Sequence, residues 1–298
     1  MKTGQGKIAL DITLIKALIE ATRKFKKVPA IKIIIALRTD LFFKVLNETK
    51  TTGSQEEKYE SLIYEVKWNE DELEELLNER VVTLGESKNL NLNLKNLLPK
   101  NQIFHKSALH YFFDRTFLRP RDAIQFLNLC LNCSHKMTRV NKTKLQEAER
   151  IYSQKRLRFI YDEWRSNFPN LKDYVTILEN KHIVFNVRHI DKKEVEDFVV
   201  KSVQESRDHG PLYPLAKRYY DGKAPISRLV LRMLHCLYIS GLVGVKTSPH
   251  SEINWSFKDA HLLELSQLTE NLDYHIHPTF WMGLGVKVNR ASSDSDVQ

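Results

Sequence analysis

Arg38 closes an apolar run, 31-IKIIIALRTD-40, and Arg119 and Arg121 flank a proline in 119-RPRD-122. A guanidinium aims several N–H donors at once, so arginines placed this way can register a terminal phosphate. The isoleucine-rich run shows little alternation and predicts a strand covered on both faces of a parallel sheet. Ligands of open α/β sheets bind at the carboxyl ends of strands, where Arg38 falls. Pro120 suits the first position of a helix, which puts Arg121 beside the free backbone N–H groups that favour anions. Each arginine also has a structural alternative: Arg38 can pair with Asp40, and Arg119 and Arg121 with Asp122 or Asp114.

No residues that would grip such a phosphate accompany these readers. Gly4-Gln5-Gly6-Lys7 lacks the spacing of G-x-x-x-x-G-K-[ST], Ile8 stands where a hydroxyl should hold magnesium, and no strand precedes it. No strand ends in a pair of carboxylates. Other chemistry is thin. Cys130 and Cys133 form a C-x-x-C inside a helical pattern, without the second pair a zinc site requires. His275 and His277 alternate as on a strand near Trp281, but no third ligand follows at a recognisable spacing, so packing is the expected role. The acidic run Glu70 to Glu75 reads as a solvated first turn of a helix, where the dipole favours negative charge, rather than as a metal cluster. No G-x-S-x-G is present.

The elements that must position these residues follow from periodicity. Apolar Leu14, Leu18, Ala21 and Phe25 predict an amphipathic helix over 11–27, ended by Pro29. Residues 47–58 are polar and predict a loop. Asn69 as cap and Glu72 as its capping-box partner open a helix that buries Leu73, Leu76, Leu77 and Val81. The alternation 89-NLNLNLKNLL-98 fits either a short strand or a loop. Further helices are expected over 105–118, 121–136, 143–166, 171–181, 191–208 and 226–241. Strand-like 242-LVGVK-246 and 253-INWSF-257, joined by 247-TSPHSE-252, predict a hairpin, and helix followed by hairpin is the order of a winged-helix domain. Residues 291–298 should be disordered.

The chain has 298 residues, enough for two or three modules, and a net charge of +9 that makes an anionic partner plausible. The positive charges are dispersed, so a merely basic surface explains them equally well. No signal-peptide core and no uncharged apolar stretch of membrane-spanning length occurs, and three cysteines form no disulfide framework; a cytoplasmic protein without membrane contact is expected.

The succession IIIALRTD, WNEDELEELLNER, RPRDAIQFLN, CLYISGLVGVKT, INWSF and YHIHPTFWMGLG resembles the C-terminal part of a bacterial P-loop ATPase family of AAA/STAND type. The resemblance runs from about Asp11 to Gly285. It implies a mainly α fold with a small α/β remnant: 1–50 the end of a P-loop NTPase α/β domain, 59–140 a helical lid, 145–287 a winged-helix domain, and 288–298 a tail. Arg38, Arg119 and Arg121 would then sense nucleotide, without catalytic or metal-binding residues of their own. Arg228 and Arg232 on the recognition helix, with Lys246 and His250 near the wing, would be the nucleic-acid contacts if duplex DNA is bound. The departure is the absent Walker A and Walker B residues, which would belong to sequence preceding Met1 or to a partner. The expectation is therefore a truncated nucleotide-switch module that does not hydrolyse ATP alone. ATP and Mg would be cofactors only with the P-loop part supplied. The expected partners are a P-loop-bearing protein, a second copy of the chain, or duplex DNA, and phage defence is a process the resemblance suggests.

Overall fold

The computed structural model describes residues 5–25, 27–37, 63–64, 66–204, 210–258 and 262–288. The described residues are mainly helical, with one small antiparallel sheet, and none of their helices is long and apolar enough to cross a membrane. The chain divides into two units, Met1–Lys67 and Trp68–Gln298.

In the first unit, helix α1 (Gln5–Phe25) extends the predicted amphipathic segment, but its apolar stripe is uncovered: Leu14, Leu18 and Phe25 are exposed. The buried strand expected after it is not formed. Residues 31–37 lie outside any strand, and Ile31, Ile33 and Ile34 are exposed, Ile34 to 82%. The reason is pairing. A strand holds only when neighbours take up its backbone N–H and C=O groups, and no described residue ladders with this segment. The α/β remnant expected over 1–50 is thus a helix followed by an unpaired apolar segment, and Arg38 lies outside the described residues.

The second unit opens on helix α2 (Glu70–Glu86), whose start is capped as its sequence requires. Asn69 Oδ1 accepts from the Glu72 amide and Glu72 Oε2 accepts from the Asn69 amide, each at 2.9 Å. Leu73, Leu77 and Val81 fall on one face and are buried. The asparagine–leucine alternation becomes neither strand nor plain loop but a single helical turn, α3 (Leu94–Leu97). Asn93 caps it, and Asn78 on α2 accepts from the Leu94 amide at 3.1 Å. Next come α4 (Ala108–Phe113), α5 (Pro120–Cys133), with proline in its first turn as expected, and α6 (Lys142–Trp164), capped by Asn141. The remaining helices are α7 (Leu171–Val175), α8 (Lys192–Gln204), α9 (Tyr213–Tyr220) and α10 (Ile226–Ile239).

Strands β1 (Val184–Phe185), β2 (Val243–Lys246) and β3 (Asp273–Ile276) form an antiparallel sheet in the order β1-β3-β2. The predicted hairpin is present in part, as a single antiparallel bridge. The strand partner of β2 is β3, in the register Val243↔Ile276 and Val245↔Tyr274, while 253–257 contributes one bridge, Val245↔Asn254. Fully buried Tyr274 and Ile276 give Val245 and Val243 apolar cross-strand partners. The 253–257 segment also packs across Gly244, where a Cβ would lie 2.5 Å from Ile253 and 2.8 Å from Trp255.

Two apolar cores lie within this unit. One gathers α2 to α5 and the first half of α6 around Leu77, Phe112, Phe126, Leu145 and Tyr152. The other gathers the second half of α6, helices α7 to α10 and the sheet around Ile160, Tyr174, Leu234, Val243 and Phe280. Helix α6 therefore runs through both.

Candidate functional site

Where the two cores meet, the packing turns polar, and the 119-RPRD-122 turn sits at this seam. Helix α6 supplies Glu149, Arg156 and Glu163 at intervals of seven residues, two turns apart and so on one face. Arg115, in the turn after α4, donates through Nε to Glu149 Oε1 at 2.8 Å, with both side chains at 3% exposure or less. Tyr111 donates to the other Glu149 oxygen, and the Arg115 guanidinium stacks on the Tyr111 ring, 3.4 Å from its centroid. Burial holds the Tyr111 hydroxyl well above its usual range, which keeps it a donor.

The second half of the seam is looser. Arg156, 6% exposed, lies 3.7 Å from Asp122 through Nε and 3.3 Å from Glu163 through Nη2. The longer distance is too great for a hydrogen bond, and Asp122 Oδ2, Arg156 Nε and the Tyr152 hydroxyl are all buried without a hydrogen-bond partner among the described residues. Burial pushes the Asp122 carboxyl up, against the attraction of Arg156. Between the cores, Phe117 stacks on His277 at 4.6 Å, and Arg156 lies over the Phe117 ring at 5.0 Å. Thr279 donates to the Arg115 carbonyl at 2.8 Å, and Gly283, whose Cβ would lie 2.7 Å from Leu157, donates to Ser153 Oγ at 2.8 Å. Burial, reinforced by nearby Lys258, Arg115 and Arg156, pushes the His277 ring far below its usual range, so it packs as a neutral ring. His275 stands half-buried on β3.

Arg119 is the N-cap of α5 and pairs with Glu163 at 3.3 Å. Arg121, one residue inside the helix, is exposed and makes no ion pair among the described residues. The local pairing alternatives are thus taken by other groups. Asp122 faces Arg156, and Asp114 is held by Lys106. An exposed pair such as Arg119–Glu163 contributes at most about 1 kcal/mol, so it is a weak hold on Arg119. The helix start carries no side-chain cap, leaving first-turn backbone N–H groups beside Arg121.

The residues read as nucleic-acid contacts are dispersed. Arg228 on α10 is exposed, whereas Arg232 is half-buried with Nη1 3.5 Å from His235 Nδ1. Lys246 is half-buried at the end of β2 opposite Asp273, and His250 is exposed in the following turn. Cys130 is buried in the first core and Cys133 half-buried, both on α5.

Local spacing did not identify Arg115, Glu149, Arg156 or Glu163. The seven-residue repeat on α6 was the available signal, but its meaning depends on which helices face it.

Residues 71–160 match the family described as the FunZ-associated C-terminal helical domain. The match covers α2 to α5 and most of α6, which together hold the first core and the first half of the seam. Its description fits a C-terminal part of a larger protein. No curated protein and no solved structure matches the chain.

Proposed function

We propose that the chain is a non-hydrolysing regulatory module that completes a P-loop ATPase whose phosphate-binding residues are carried by other sequence. The observation that carries this reading is the apolar segment 31–37. Its composition is that of an interior strand of a parallel sheet, yet Ile31, Ile33 and Ile34 face solvent and no described residue ladders with them. A partner sheet would take up both its backbone edges and its side chains at once. Arg38 would then fall at the ligand-binding edge of that sheet, and Arg121, exposed at an uncapped helix start, is independently suited to an anion. The match to a domain described as associated and C-terminal supports a module of this kind.

Affinity purification of the tagged chain tests the reading. A partner bearing G-x-x-x-x-G-K-[ST] should co-purify, ATPase activity should reside in the complex, and Ile33→Asp with Ile34→Asp should release the partner. ATP turnover by the purified chain alone, abolished by Arg121→Ala, would overturn it. So would a partner without a P-loop, or binding that is indifferent to the isoleucine changes.

Duplex-DNA contact is the second reading, favoured by exposed Arg228 on α10. It predicts a salt-sensitive mobility shift weakened by Arg228→Ala, and no shift at low salt excludes it.

A further inference from the structure

A cluster on α2 and α4 has the donor set of a metal centre. Glu70 opens α2, while His110 and Asp114 lie four residues apart on one face of α4 and its C-cap. One ligand atom from each falls within 4.8 Å of the others. Glu70 Oε2 and His110 Nδ1 are 2.9 Å apart. Two ligands of a tetrahedral ion, each about 2.0–2.2 Å from it, are separated by roughly 3.3 Å, so this pair is already close to a coordination edge. Asp114 has to close by up to about 1.5 Å to complete the set, within the reach of a side-chain rotation.

The imidazole separates this group from an ordinary acidic patch, because one nitrogen with two carboxylate oxygens is a set that zinc accepts while keeping a position open. The ammonium of Lys106 is paired with Asp114, so an incoming metal has to displace it. Lys106 is 46% exposed and can leave for water.

We propose that Glu70, His110 and Asp114 form a divalent-cation site of the zinc class, with Lys106 as the internal cation that a metal displaces. The three donors join the start of α2 to α4, so an occupied site ties together two helices of the first core. The helix dipole at the start of α2 opposes the metal weakly, and the two carboxylates outweigh it.

Calorimetric titration of the EDTA-treated full chain with zinc chloride tests this, with circular dichroism to establish that each variant is folded. One saturable site is expected. His110→Ala and Glu70→Gln should each weaken it by at least the ~10–100-fold typical of losing a mere supporting contact. Lys106→Met should tighten it about two- to fivefold, because a competing exposed ion pair is removed. Zinc held by the exposed His110 ring alone would respond to His110→Ala but not to Glu70→Gln. The proposal is overturned if no saturable zinc binding occurs in the Lys106→Met chain, or if binding persists unchanged in His110→Ala.

Discussion

Replacing Glu149 with leucine should destabilise the chain by about 3–5 kcal/mol, the range for leaving one member of a buried ion pair alone. The structure sets the size. Arg115 and Glu149 are almost wholly buried, and Glu149 takes the charge-assisted hydrogen bond of Arg115 as well as the Tyr111 hydroxyl. After the change, Arg115 keeps the Tyr111 carbonyl at 3.2 Å and the Tyr111 ring, which solvate it only in part. Tyr111 also loses its acceptor, a loss of ~1–3 kcal/mol when the hydroxyl is buried. Urea unfolding followed by circular dichroism at neutral pH measures the difference. Should Glu149→Leu fail to fold, a triple variant still reads the argument. Tyr111→Phe, Arg115→Met and Glu149→Leu together remove all the stranded polar groups and should return to within about 2 kcal/mol of the parent chain. The reasoning is refuted if Glu149→Leu costs under about 1 kcal/mol, or if the triple variant is as unstable as the sum of its single changes.

Three other perturbations follow from the same geometry. Gly244→Ala should cost about 1–3 kcal/mol, because its Cβ would meet Ile253 and Trp255 inside van der Waals contact; a urea midpoint unchanged from the parent would contradict this. Asn69→Ala removes the side-chain half of the α2 capping box, the acceptor of the Glu72 amide, and should cost about 1 kcal/mol, visible in the same unfolding curve. Asp122, pushed up by burial, binds its proton more tightly folded than unfolded. The stability this adds is complete below the ordinary carboxylate range and is lost as pH rises through the raised value. The advantage of the parent chain over Asp122→Asn should therefore shrink as pH rises above the ordinary carboxylate range, and an advantage that grows would show that the attraction of Arg156 outweighs burial.

Local signals were sufficient wherever neighbouring residues decide the outcome. The Asn69–Glu72 box, Pro120 at a helix start and the Leu73–Leu77–Val81 stripe depend on contacts within one or two turns, and all appear where their spacing predicts. Strands were harder, because a strand's stability lies in its partner. The 31–37 segment has the composition of a strand and none of its pairing among the described residues, and β2 takes β3 as its main partner while bridging the adjacent 253–257 only once. Helix α9, with two tyrosines at its end and one buried alanine, had too weak a stripe to announce itself. The arginine readers could be singled out as guanidiniums near a helix start, but their availability could not. That Arg119 is held by Glu163 and Arg121 is free of ion pairs among the described residues depends on α6 crossing the start of α5.

Propensity and short-range spacing were enough for the mainly helical character of the second unit, the capped start of α2, the proline start of α5, and the basic, phosphate-capable residue types near 119–122. Only the tertiary structure decided that one helix threads two cores, that Glu149, Arg156 and Glu163 line the seam between them, and that Glu70 meets His110 and Asp114. Those meetings join residues tens of positions apart, and a charge's partner, burial and proton affinity are properties of the packed neighbourhood rather than of the chain around it.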